Sequence, residues 1–158
     1  MSSIRHWILK SEPTEYSFDD LMAEEDQTTP WDGIRNYQAR NFIRDTMAIG
    51  DQALFYHSST KHRAVVGRVE IVSAAYADST QFEPESRYFD PKSTRENPRW
   101  VCRDVRAVAW LERPVPLEQI RAAPELAGCT LVARGNRLSV FPITDAEYEA
   151  IIAMSHRG

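Results

Sequence analysis

Ile4-Arg5-His6-Trp7-Ile8-Leu9-Lys10-Ser11-Glu12-Pro13 decides the fold, because an apolar run of strand length passes directly into an ammonium, a hydroxyl and a carboxylate before proline halts it. Short apolar runs bounded by a breaker read as buried strands. Lys10, Ser11 and Glu12 therefore stand at the end of a buried strand. There they either orient the polar edge of a ligand or satisfy a loop, and the residues alone leave both roles open.

A second stretch, Trp31-Asp32-Gly33-Ile34-Arg35-Asn36-Tyr37-Gln38-Ala39-Arg40-Asn41-Phe42-Ile43-Arg44, combines a flat aromatic, three arginines and two asparagines around a turn and a helix. Those residue types suit a planar, hydrogen-bonding ligand, with or without phosphate. Trp31 follows a polar loop, so it either stacks on such a ligand or caps the core. Arg35, Arg40 and Arg44 either contact phosphates or form a solvated helix face. Asn36 is suited to an N-cap, whereas Asn41 inside a helix points to a specific hydrogen bond. A carboxylate that accepts from an exocyclic amino group while an aromatic stacks on the ring is a workable way to read a base.

Working outward, Ser17-Phe18-Asp19-Asp20 predicts a capped short helix through Met22, and Asp26 to Pro30 reads as a loop that delivers Trp31 to the Asp32-Gly33 turn. A helix is expected from about Asn36 to Asp45. Ala53 to His57 reads as a strand carrying Tyr56, His57 and Ser58 at its end, and Ala64 to Ala75 as its hairpin partner, with Gly67 marking a bulge or a close backbone approach. Asp78 to Arg99 has three prolines (Pro84, Pro91 and Pro98) and no periodicity, the mark of a functional or substrate-covering loop. Trp100 to Leu111 returns to strand character, Pro116 opens a short helix, and Leu126 to Val132 is an apolar connection. Leu138 to Ile143 alternates as a strand, and Thr144-Asp145-Ala146-Glu147 is a capping box whose helix turns Ala146, Tyr148, Ile151 and Ile152 inward. Gly135-Asn136 reads as a turn that leaves Arg137 free to reach a carboxylate or phosphate. The expected architecture is α+β, with a curled or barrel-like sheet flanked by short helices in one domain spanning residues 1–158.

Composition excludes several classes. With 19 basic against 23 acidic side chains the chain is not uniformly basic like a protein that coats nucleic acid. Residues 31–68 nevertheless carry six basic side chains against three acidic ones, so a local positive face is expected. Cys102 and Cys129 lack metal-ligand spacing, which indicates neither a zinc site nor a disulfide framework, and Cys102 reads as an inert core residue. Neither GxGxxG nor GxxxxGK[ST] occurs, so no cofactor is implied. No apolar stretch approaches the roughly 20 residues of a membrane span, and a cytoplasmic protein without membrane contact is expected. A triad of His57, Ser58 and Asp78 is disfavoured, because adjacent side chains on a strand point to opposite faces.

Taken together, Lys10 to Pro13, Trp31 to Asn41, Phe55-Tyr56-His57-Ser58, Ser86-Arg87-Tyr88-Phe89-Asp90 and Arg137 to Thr144 resemble, in order, the blocks of the EVE domain, typified by the thymocyte nuclear protein 1 family. The resemblance covers nearly the whole chain and implies a PUA-like curled β-barrel related to YTH domains. It also implies a reader of modified bases in DNA or RNA, with modified cytosine such as 5-methylcytosine in DNA favoured, and not an enzyme. By similarity Lys10, Ser11 and Glu12 line the base pocket and Trp31 walls it. Asn36, Tyr37 and Asn41 border it, and Tyr56, His57 and Ser58 close the other side, with Tyr37 or Tyr56 as a second aromatic wall. The chain lacks the basic N-terminal extension of eukaryotic members, so the resemblance implies a bacterial protein. Two expectations compete with this one: a nucleic-acid-processing enzyme using Glu12 or His57 as general base, and a small-molecule or protein-interaction domain using the same cleft.

Overall fold

In the computed structural model, which describes residues 5–157, the strand His6–Ser11 (β1) is covered on both faces, and this is why its apolar run does not alternate. Its neighbours are Gln52–His57 (β3), in parallel, and Val140–Ile143 (β8), antiparallel. Trp7, Ile8 and Leu9 are each at most 1% exposed. Trp7 and Leu9 pack into one half of the core and Ile8 into the other. Ile4, the expected start of this strand, lies outside the described residues.

The sheet continues through Ala64–Ile71 (β4) and Asp104–Pro116 (β7) to Thr28–Pro30 (β2), giving the order β2-β7-β4-β3-β1-β8. Bulges at Phe55/Tyr56, Val65/Gly67 and Arg68/Val69 bend it into a curled half-barrel. A small ribbon of Tyr76–Ala77 (β5) and Val101–Cys102 (β6) clips the ends of the long irregular segment between them. A parallel β1–β3 pair needs a crossover, and the chain supplies it through Phe18–Met22 (α1), β2 and Tyr37–Asn41 (α2). Leu117–Ala122 (α3) and Asp145–Ser155 (α4) cover the opposite face over Ile8, Leu54 and Phe141. Both expected caps form: Ser17 pairs reciprocally with Asp20, and Thr144 with Glu147.

Several boundaries differ from expectation for physical reasons. Asp26 to Pro30 is not all loop. Thr28–Pro30 pairs with β7 as an edge strand, which needs no apolar face and so leaves no hydrophobic signal. The Asn36–Asp45 helix is α-helical only to Asn41 and then widens into a π-turn over Phe42–Thr46. That wider turn lets Phe42 meet Trp7 at 5.6 Å while the Ile43 carbonyl accepts from Arg103 Nε at 2.6 Å. Strand β7 runs past Leu111 to Pro116, and Pro142 is tolerated inside β8 because β8 is an edge. In α4 the buried residues are Tyr148, Ile151, Met154 and Ser155, while Ala146 is exposed.

Gly67 allows a close approach. A Cβ there would overlap the Phe18 ring, so α1 docks on bare backbone. Phe18 is fully buried and meets Phe55 and Trp110 edge-on. Its own amide N–H donates to His57 Nε2 at 3.1 Å, which requires a neutral imidazole. Burial lowers the His57 pKa, against a smaller opposing pull from Asp19.

Gly67→Ala should therefore lower stability by about 1–3 kcal/mol or more through overpacking against Phe18, read as a fall in the denaturant midpoint at unchanged m-value. His57 should make stability acid-sensitive. Its folded pKa is depressed, so the unfolded chain takes up the proton first; the contribution is complete above the ordinary histidine value of about 6.5 and is lost as pH falls through the lower folded value. His57→Gln keeps an acceptor but cannot titrate, so the melting-temperature gap between wild type and variant should shift against wild type between about pH 8 and about pH 5.

Candidate functional site

Asp78 is fully buried, and its carboxylate joins its own segment to the turn after Trp31. Oδ2 accepts from the Gly33 amide at 2.8 Å and from Arg35 Nη1 at 3.0 Å, while Oδ1 accepts from the Thr80 amide at 2.8 Å and its hydroxyl at 2.5 Å. Burial alone pushes this carboxyl up. The donors from Thr80, Gly33 and Arg35 more than offset it, leaving the group ionised below its ordinary value. Arg35 uses all five of its N–H donors internally, giving two to the Tyr88 carbonyl at 3.0 and 2.8 Å and one each to Asp78, Thr80 and the Ile34 carbonyl. Gly33 has φ +79°, and a Cβ there would lie 2.8 Å from the Tyr88 ring. The turn after Trp31 and the long Asp78–Arg99 segment are thereby locked face to face.

This lock shapes a pocket of about 260 Å³. Its aromatic lining is Trp31, Tyr16 and Tyr88, its polar lining is Lys10, Ser11, Thr29 and Asp32, and Ile34 and Pro30 complete it. The volume falls just below the roughly 300–1,000 Å³ of drug-sized sites, so it suits one flat ring. Trp31 both packs against the core and lines the pocket. One edge packs on Phe55 at 5.5 Å, its amide donates to the Arg103 carbonyl, and the remainder faces the pocket. The Tyr16 hydroxyl donates to Glu24, and burial first, then that acid, raises its pKa to about 12, so it stays neutral. Asp32 lies at the exposed rim, yet burial against the walls and the nearby Asp78 charge raise its pKa. The Lys10 pKa is lowered by burial, with Nζ 5.5 Å from the Phe141 ring and 5.7 Å from that of Tyr56.

The expected site residues separate into groups. Lys10, Ser11 and Trp31 line the pocket together. Glu12 is exposed, its carbonyl closing a turn with Glu15 and Tyr16, and the carboxylate in the pocket is Asp32. Tyr37 is not a wall of this pocket. It stacks on Trp100 at 4.7 Å, and the Arg40 guanidinium lies 4.7 Å from the Tyr37 ring and 6.0 Å from that of Trp100. Asn36 caps α2 through the Ala39 amide, and Asn41 accepts two bonds from Arg40. Tyr56 and Ser58 line a different cavity, reached from the other side of Lys10, and His57 is tied to Phe18. Among the expected phosphate contacts, Arg35 is fully engaged, Arg44 is paired with Asp45 at 2.8 Å, and Arg40 also holds the Arg99 carbonyl, while Arg137 is exposed. Asp78 serves the lock and forms no triad with His57 and Ser58.

Residue pattern did not mark Tyr16, Thr29, Asp32 or Tyr88 as lining residues. Only Tyr88 left a signal, as an aromatic inside a long aperiodic segment. Both cysteines are buried free thiols, with burial pushing Cys102 to about 12 and Cys129 to about 11. Among the described residues no cluster of three His, Cys, Asp or Glu side chains is placed to hold a metal ion, and no helix is long and apolar enough to cross a membrane.

A family model described as the EVE domain matches residues 5–154. Human thymocyte nuclear protein 1 is 38% identical over 169 residues, covering 96% of this chain and 74% of that protein. The crystal structure of human THYN1 protein in complex with 5-methylcytosine containing DNA superposes with a TM-score of 0.91 at 38% identity, covering 97% of this chain and 98% of that one. A structure from Pseudomonas syringae gives a TM-score of 0.89 at 41% identity, covering 95% and 99% of the two chains.

Asp78→Asn should strand the Arg35 guanidinium. Breaking a buried pair in this way costs about 3–5 kcal/mol, so the variant should show a clearly lower denaturant midpoint, with loop 78–99 gaining amide hydrogen exchange before the sheet does.

Proposed function

Because the chain belongs to the EVE-domain family, we propose that it is a non-catalytic module that binds DNA carrying a modified cytosine, with the base turned out of the strand into the pocket of Trp31, Tyr16 and Tyr88. The observation that carries this reading is a one-ring pocket with aromatic walls and a carboxylate at its rim. The human relative crystallised with 5-methylcytosine containing DNA supports the choice of ligand class. Cytosine presents its exocyclic amino group as a donor, and a carboxylate is its natural acceptor. Asp32 takes that role in place of Glu12, while Lys10, Ser11 and Thr29 face the remaining edge. Glu12 and His57, the residues a catalytic reading would use, both stand outside the pocket lining.

The energetics set the expected scale. Turning a base out of a duplex costs a few kcal/mol, and stacking on an aromatic returns about 1–3 kcal/mol, so phosphate contacts must supply the rest. Burying one methyl group adds about 0.8 kcal/mol, roughly four-fold in affinity, so stronger discrimination depends on pocket shape.

The test is a titration of matched oligonucleotides, with and without modified cytosine, into wild type, Trp31→Ala and Asp32→Asn. Wild type should prefer the modified strand, Trp31→Ala should lose about 1–3 kcal/mol of binding, or about 5- to 150-fold, and Asp32→Asn should weaken cytosine-containing sites selectively. Equal wild-type affinity for every matched pair would sink the reading.

A further inference from the structure

Lys10 lines two cavities. On the side away from Trp31 it opens onto a larger one of about 560 Å³, shared with Arg63, Arg121 and Arg134. These four cations come from separate parts of the chain: the end of β1, the β3–β4 loop, α3 and the loop before β8. No carboxylate lines the cavity among the described residues, although the chain as a whole carries a net charge of -4. Among the described residues none of the four cations forms an ion pair, in contrast to Arg35, Arg44, Arg87 and Arg106.

The frame is firm, since the Arg63 carbonyl accepts from the Leu117 amide at the start of α3. One lining residue, Asn136, accepts from the Leu138 amide through Oδ1, while its buried Nδ2 donates to no group among the described residues. Three arginines and Lys10 lining one cavity without a carboxylate suit an oxyanion.

We infer that this cavity holds a backbone phosphate of the nucleic acid whose base occupies the Trp31 pocket, with Lys10 bridging the two. The inference rests on the base-reading role proposed above. It moves the phosphate contacts from Arg35, Arg40, Arg44 and Arg137 to Arg63, which belongs to the basic stretch 31–68, and to Arg121 and Arg134.

The salt dependence of oligonucleotide binding tests it. Removing one phosphate-binding cation should flatten the log–log salt slope by about 0.9 on duplex DNA, so Arg63→Ala with Arg121→Ala should flatten it by about one to two units. Affinity for modified and unmodified strands should fall by the same factor, and Arg63→Lys with Arg121→Lys should restore the slope. An unchanged slope in the alanine pair, at wild-type melting temperature, overturns the inference. So does a melting-temperature rise with inorganic phosphate that depends on the two arginines while the oligonucleotide slope does not, since that assigns the cavity to free phosphate. The modified-to-unmodified ratio reports the base pocket separately, so a failure of base reading and a failure of the phosphate site are distinguishable.

Discussion

The buried Asp78 carboxylate is the constraint on which the pocket depends. An ion with no solvent exposure is tolerable only when donors surround it, and here the donors come from the turn after Trp31, from Arg35 and from Thr80 at the head of the long loop. Arg35 passes the constraint on by clasping the Tyr88 carbonyl. Walls from two remote segments are thus held by one charge. A site organised in this way is rigid before any ligand arrives, which limits the entropy lost on binding.

The sheet supplies the other half of the rigidity. β1 is buried on both faces through Leu9, and the strand end that carries Lys10 and Ser11 is held between β3 and the Ser139 carbonyl. The docking of Phe18 on Gly67 and the bond from its amide to His57 fasten α1, the segment just after Tyr16, to the same sheet. Tyr16 is therefore held by a helix that is itself fixed, and the aromatic walls converge from both sides of the Lys10 end. Charge follows the same geometry. A chain with a net negative balance gathers unpaired cations on one side of Lys10 and one carboxylate, Asp32, on the other.

Where local pattern and tertiary demand agreed, the residues were legible. The β1 run, the Ser17 and Thr144 caps, the Asn36 cap and the Gly67 close approach all follow from short-range rules. Edge strand β2 was not legible, because Thr28-Thr29-Pro30 needs no apolar face. The π-turn after Asn41 was hidden as well, since it answers to Trp7 and Arg103, both remote in sequence. Tyr37 shared a helix with the expected site residues but stacks on Trp100, a partner that no spacing rule names.

By itself the sequence carried the family resemblance, the buried run of β1 and the helix caps, because each is written in contiguous residues, and it left the roles of Lys10, Ser11 and Trp31 open. Only the tertiary structure decided which carboxylate and which tyrosines face that tryptophan. Asp32, Tyr16 and Tyr88 outrank Glu12, Tyr37 and Tyr56 because the pocket lining is set by where the Asp78–Arg35 lock brings distant segments together, and long-range closure of this kind leaves no local trace.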